Sequence, residues 1–151
     1  AFGAIARIKP NYYLHDTVVP RRRLTEVLAK VYEIAERNEL LVLNVFHAGD
    51  GNLHPLLVFD KREPGTMERV HRAGEEIVAV SVAVGGALSG EHGIGLEKRD
   101  YMSWMFGPDD LAAQALLREA FDPLGLANPL KVLPSPAACG DVHSVPEGSW
   151  I

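Results

Sequence analysis

Cysteine is almost absent from this chain: Cys139 is the sole thiol in 151 residues. One thiol cannot build an internal disulfide framework, and a reducing compartment is the natural expectation. Aromatic residues are few, at 7%, and no apolar run approaches the ~18 residues that a membrane span requires. Basic residues are in the minority, 15 Lys and Arg against 20 Asp and Glu, for a net charge of −5. That balance speaks against nucleic acid or an anionic membrane as the main partner. The apolar opening at residues 1–6 is broken by Arg7 and lacks a basic leader, unlike a secretory signal. A cytoplasmic location is expected, at most peripheral to the inner face of a membrane through partner subunits. No Gly-x-Gly-x-x-Gly follows a strand. The glycine spacing of residues 85–90 imitates a phosphate loop, but Glu91-His92 stands where Lys and Ser or Thr belong. Ser89 likewise lacks the flanking glycines of a nucleophile elbow, since Glu91 occupies one of those positions.

What is present suits a globular domain. Apolar residues make up 47% and charged residues 23%, and a chain of this length buries roughly 68–70% of its unfolded surface. The chain opens on Ala1 rather than Met, which reads as a piece of a longer polypeptide. Aromatic and β-branched residues at 12–19 predict a strand ending at Pro20. Leu24, Val27, Leu28, Val31, Ile34 and Ala35 give the helical rhythm over 21–38. Strands are expected at 40–47 and 52–59, a second helix at 65–84 and a short last strand at 87–89. Two further helices follow, a weaker one at 96–105 and a stronger one at 108–121, where Pro108 suits the first turn. The order strand–helix–strand–strand–helix–strand is the ferredoxin-like split βαβ pattern. The fold class is therefore α+β, with appended C-terminal helices, over residues 1–134. Residues 135–151 read as a Pro-rich tail, partly disordered. Helices cover one face of such a sheet and leave the other free to roof a site.

The informative hairpin is His47-Ala48-Gly49-Asp50-Gly51-Asn52-Leu53-His54. If Asp50-Gly51 forms a two-residue turn, His47 faces His54 on one side of the sheet, and two imidazoles there can hold one divalent ion. A histidine pair across a hairpin can equally stack or bond to backbone, and the spacing leaves both readings open. Ser89-Gly90-Glu91-His92-Gly93-Ile94-Gly95 adds a carboxylate and an imidazole among glycines. Glu91 can complete a two-His-one-carboxylate set, and His92 can serve as a general base near neutral pH. The bland alternative is a glycine-rich connection with a solvated Glu-His pair. The two segments meet only if the last strand is short; a full-length one carries Glu91 to the far side. Arg21-Arg22-Arg23 reads as a solvated helix start, and His71 as a surface residue of a helix. His15, His143 and Cys139 show no sign of belonging to a site.

At these residues the sequence resembles the C-terminal, cap-side domain of FAD-linked 2-hydroxy acid oxidases of the vanillyl-alcohol-oxidase superfamily. Its glycolate- and D-lactate-oxidising members are nearest. The resemblance runs through Tyr12-Tyr13 to Pro20-Arg21-Arg22, Val45-Phe46-His47 to His54-Pro55, Ser89 to Gly95, and Ala120-Phe121-Asp122-Pro123 to Asn128-Pro129-Leu130-Lys131. It implies that His47, His54 and Glu91 are ligands of a divalent metal, zinc, manganese or iron. It further implies that His92 takes the substrate hydroxyl proton as hydride leaves for the flavin, and that Asn52 and Asn128 are polar contacts around flavin or substrate. Implied partners are a small 2-hydroxy acid, an FAD-binding domain of the same parent chain that holds most of the FAD, and an iron–sulfur subunit. That FAD-binding domain and its substrate-gripping arginine are expected to lie outside these residues. One departure stands out: Leu130 occupies a position where the family shows glycine. The rival expectation, from another class, is a noncatalytic ferredoxin-like binding or assembly module, which has no use for three convergent ligands plus a base.

Overall fold

The computed structural model describes residues 2–134, so the tail reading at 135–151, with Cys139 and His143, falls outside the described residues. The chain divides into two compact units, Ala1–Gly93 and Ile94–Ile151.

In the first unit the order is α1 (Phe2–Ile5), β1 (Asn11–Leu14), β2 (Thr17–Val18), a 3₁₀ turn at Arg21–Arg23, α2 (Leu24–Arg37), β3 (Leu41–His47), β4 (Asn52–Phe59) and α3 (Thr66–Ala83). Central strand β4 is flanked on one edge by β3, from Leu41↔Val58 to His47↔Asn52, antiparallel. On its other edge β1 and β2 run in one shared register, from Asn11↔Phe59 to Val18↔Asn52. Val18 in turn bridges Ala87. The spatial order is thus that of the split βαβ pattern, and the α+β expectation holds.

Two departures from the expected strands have local causes. The strand expected at 12–19 is broken at His15 and Asp16, opposite Pro55. His15 donates its N–H to the Pro55 carbonyl at 2.9 Å, but proline has no N–H to return. The last strand shrinks to the single bridge at Ala87.

The hairpin also differs from expectation. Its turn occupies four residues, 48–51, with the N–H groups of Asp50 and Gly51 both donating to the His47 carbonyl at 3.0 Å. Gly51 has φ +77°, and a Cβ there would stand 2.1 Å from the Val19 carbonyl oxygen, so the position admits only glycine without rearrangement. The longer turn shifts the pairing by two residues: His47 faces Asn52, and His54 faces Val45. An even shift preserves sidedness. His47, Asn52 and His54 therefore stay on one face.

The two faces of the sheet have different covers. Leu53, Leu57, Phe59 and Val42 lie beneath Val27, Val31 and Ile34 of α2 and Val70, Ala73 and Ile77 of α3. Each fully buried aliphatic side chain of this kind stabilises the fold by about 1.5–3 kcal/mol. On the opposite face Ile5 of α1 packs with Leu56, Val58, Leu14 and Leu43. Beyond that small apolar cluster the same face turns polar, at His54 and Asn52.

The two helices are tied where α2 ends. Buried Asn38 donates to the Ile34 carbonyl at 2.9 Å and to the Glu76 carboxylate at 3.2 Å, and accepts from Arg72 Nε at 2.6 Å. Arg37 pairs with the same Glu76.

The second unit begins with a 3₁₀ segment, Arg99–Trp104, in place of the weaker helix expected at 96–105. The helix α4 (Pro108–Phe121) has the bounds expected from sequence, with the Gly107 N–H donating to the Asp110 carboxylate at 2.9 Å. Arg118 gathers the chain that follows it, donating to the carbonyls of Ala127, Asn128 and Lys131 at 2.6–2.9 Å. Within that gathered segment Leu130 has φ +65°, a left-handed conformation costing a non-glycine residue about 1–2 kcal/mol.

Two stability predictions follow from these contacts. Burial acts to raise the Glu76 pKa, but hydrogen bonds from Arg37 and Asn38 and the charges of Arg37 and Arg72 outweigh it, leaving the group below its usual range. A depressed carboxylate stabilises the fold above its unfolded pKa and loses that contribution as pH falls through the folded value. Glu76→Gln is expected to cost about 1 kcal/mol at pH 7, with the gap to wild type closing as pH drops below the ordinary Glu range in urea titrations. An unchanged gap at low pH would contradict the assignment. Leu130→Gly, at an exposed side chain, is expected to gain about 0.5–1 kcal/mol through relief of the positive φ, read as a raised thermal midpoint of the second unit.

Candidate active site

Four of the residues singled out by sequence converge at the polar end of the sheet face opposite α2 and α3. His47 ends β3, and His54 sits in buried β4, where only 7% of its side chain is exposed. The loop after the Ala87 bridge brings Glu91 and His92 over them. Glu91 Oε1 lies 2.8 Å from His54 Nε2, 3.5 Å from His47 Nε2 and 3.9 Å from His92 Nε2. The His47 and His54 rings meet edge to face at 5.4 Å, and His92 stacks on His54 at 5.1 Å. Three imidazoles thus surround one carboxylate. The short last strand that this meeting required is what the fold provides.

Backbone chemistry sets the state of His54. Its Nδ1 lies 3.3 Å from the His15 carbonyl oxygen, which can only accept, so Nδ1 carries the hydrogen. The other ring nitrogen, Nε2, faces Glu91 Oε1 at 2.8 Å. An orienting hydrogen bond on the far nitrogen is the usual support of a metal-binding histidine. Asn52, 5% exposed, places its Nδ2 3.4 Å from the same Nε2. The loop passes close above it: a Cβ added to Gly90 would stand 2.6 Å from the Asn52 side chain.

The donor set fits a divalent ion. One ligand atom each from His47, His54 and Glu91 lie within 4.8 Å of one another. Atoms bound to one ion at about 2.0–2.2 Å stand roughly 3–4 Å apart, and the two nitrogen–oxygen separations of 2.8 and 3.5 Å are close to that range. Glu91 and His47 side chains are each about half exposed, at 51% and 55%, which leaves room for a further ligand.

Asn128 is described within its own unit. It belongs to the second unit, where its Oδ1 accepts from Lys131 Nζ at 3.3 Å and its φ is +46°. Arg21–Arg23 forms an exposed to half-buried turn whose Arg21 reaches the Gly49 carbonyl at 3.4 Å. His15, set aside on sequence, is buried at 2% and lies edge-on to Tyr13, where a Cβ on Gly74 would come 2.7 Å from its ring. It contributes its carbonyl to the cluster, at His54 Nδ1.

Asp16 is the residue that sequence reading missed. It is 1% exposed, and its Oδ2 accepts hydrogen bonds from the Ser89 hydroxyl and from the N–H groups of Gly90, Glu91 and His92. The signal was there: an acidic residue inside an otherwise apolar and β-branched strand must find strong partners if buried.

Among the described residues no helix is long and apolar enough to cross a membrane. A family model for the C-terminal domain of FAD linked oxidases matches residues 1–132. The glycolate oxidase subunit GlcD of Escherichia coli is 45% identical over 141 residues, 93% of this chain and 28% of that protein. The Bacillus subtilis protein of the same name is 37% identical over 132 residues, again 28% of its length. A probable mitochondrial D-lactate dehydrogenase of Danio rerio is 35% identical over 135 residues, covering 88% of this chain and 27% of that one. The chain spans little more than a quarter of these relatives. It belongs to the family of FAD linked oxidases, as their C-terminal domain.

Proposed function

We propose that this chain is the substrate-side domain of an FAD-dependent 2-hydroxy acid oxidoreductase of the glycolate or D-lactate class, forming a 2-oxo acid. The observation that carries the reading is the convergence of His47, His54 and Glu91 beside His92 at the polar end of the sheet face opposite α2 and α3, in a chain of the FAD-linked oxidase family. His47, His54 and Glu91 would hold a divalent ion. When bound, the flavin would supply a hydride acceptor, and the ion would supply Lewis-acid polarisation of the substrate hydroxyl. His92 takes the hydroxyl proton. Its ring is 46% exposed and held by its stack on His54, so one nitrogen can face substrate. Asn52 orients His54 from the side, and Asn128 remains a polar contact for flavin or substrate. Most of the flavin surface is to be held by a domain outside these residues.

Calorimetric titration with Zn²⁺ and with Mn²⁺ tests the metal half. One saturable site is expected, weakened in both His47→Ala and Glu91→Ala by more than the ~10–100-fold typical of outer-shell changes. No saturable binding by the wild-type chain, or undiminished binding in both variants, contradicts it.

The flavin half is tested separately. Purified alone, the 151-residue chain is expected to carry no stoichiometric flavin and to oxidise neither glycolate nor D-lactate. Joined to a flavin-binding domain it is expected to turn over, with His92→Ala lowering kcat by about 10²–10⁴ while metal affinity stays within a few fold. Full activity in that variant removes His92 from the reaction.

A further inference from the structure

We infer that Asp16 is the positioning residue of this site: its buried carboxylate fixes the loop that presents Glu91 and His92. The functional consequence rests on the metal-centred reading above, but the structural claim does not. The loop beyond Ala87 forms no ladder with the sheet. The amides of Gly90, Glu91 and His92 instead donate to Asp16 Oδ2 at 2.9, 3.1 and 3.0 Å. The Ser89 hydroxyl donates to the same oxygen and accepts from the Gly93 N–H at 2.7 Å. Successive N–H groups turned onto one anion form a nest, and charge-assisted bonds of this kind are the stronger class. Oδ1 of the same carboxylate lies 3.9 Å from His54 Nδ1, so Asp16 stands beside one ligand while holding the backbone of another.

The position of Asp16 follows from the break in the edge strand. Opposite Pro55 and His54 the ladder lapses, and the register places Asp16 on the same face as His54. A carboxylate there does the work of a longer last strand: it supplies the acceptor for the loop amides of Gly90, Glu91 and His92. Two carboxylates divide the work. Glu91, half exposed at 51%, offers its oxygen to the histidines, while Asp16 is sealed and turned to the loop amides.

Residue-resolved amide hydrogen exchange on the metal-free chain is the test, with Zn²⁺ titration beside it. In wild type the Gly90, Glu91 and His92 amides are expected to be protected. Asp16→Ala is expected to speed them by at least about tenfold while the amides of β4 keep their protection. The Zn²⁺ affinity should fall by ~10–100-fold, with Asp16→Asn, which keeps an oxygen of the same reach, in between. Unprotected loop amides in wild type, or unchanged exchange in Asp16→Ala, overturns the inference. If Asp16→Ala also loses β4 protection, Ser89→Ala decides: faster exchange at Gly90 and Gly93 over an intact β4 supports the inference, and unchanged exchange there overturns it. Should wild type bind no Zn²⁺ while the loop amides respond as expected, the positioning role stands and the metal reading falls.

Discussion

Strand β4 is buried at all eight of its residues, and the rest of the molecule is arranged around that constraint. A central strand must satisfy both backbone edges and both side-chain faces. Its edges are met by β3 and by the β1–β2 pair. One of its faces is closed by two helices. The other is shared between a small apolar cluster under α1 and a polar end. Because side chains alternate, the residues that anchor the core, Leu53 and Leu57, are interleaved with those of the site, Asn52 and His54. Placement of the site residues is therefore inherited from core packing. A change that moved β4 along its axis by one residue would exchange the two sets entirely.

Much of this was legible because it depends on period and parity. The stripe of α2, the bounds of α4 and the two hairpin strands came from apolar spacing that tertiary packing did not override. The shared face of His47 and His54 survived an error in the turn. A two-residue turn was expected and a four-residue one is found, yet the shift is even, so the residues stayed on their side while their direct partners changed. Less legible were features set by a single distant contact. The break at His15 and Asp16 depends on Pro55, some forty residues away, lacking an N–H. The last strand could be read as short but not as one bridge. The meeting of Glu91 with His54 depended on that length.

Asp16 illustrates the other limit. Sequence patterning identifies groups that are chemically capable and close together in the chain, so histidines and a carboxylate among glycines attract notice. A lone aspartate in a strand does not, because its partners are backbone amides more than seventy residues later. Backbone donors have no letter in the sequence. His15 is a similar case: its imidazole faces Tyr13 and Gly74, while its anonymous carbonyl meets His54 Nδ1 at 3.3 Å.

The glycines of the loop take their meaning from the same geometry. Gly90 lies so near the Asn52 side chain that a methyl group would collide with it, which keeps the loop close enough for three consecutive amides to reach one carboxylate. Bringing the backbone down at Gly90 is also what lets the next residue, Glu91, reach His54 from above rather than from the strand edge. The second unit shows the converse. Leu130 accepts a conformation that glycine takes without cost, and the carbonyls around it are held by Arg99 and Arg118. Strain at that point is compensated by charge-assisted bonds to the surrounding backbone. Close approach at the site is achieved by omitting a side chain, and strain in the second unit is borne by two guanidinium groups.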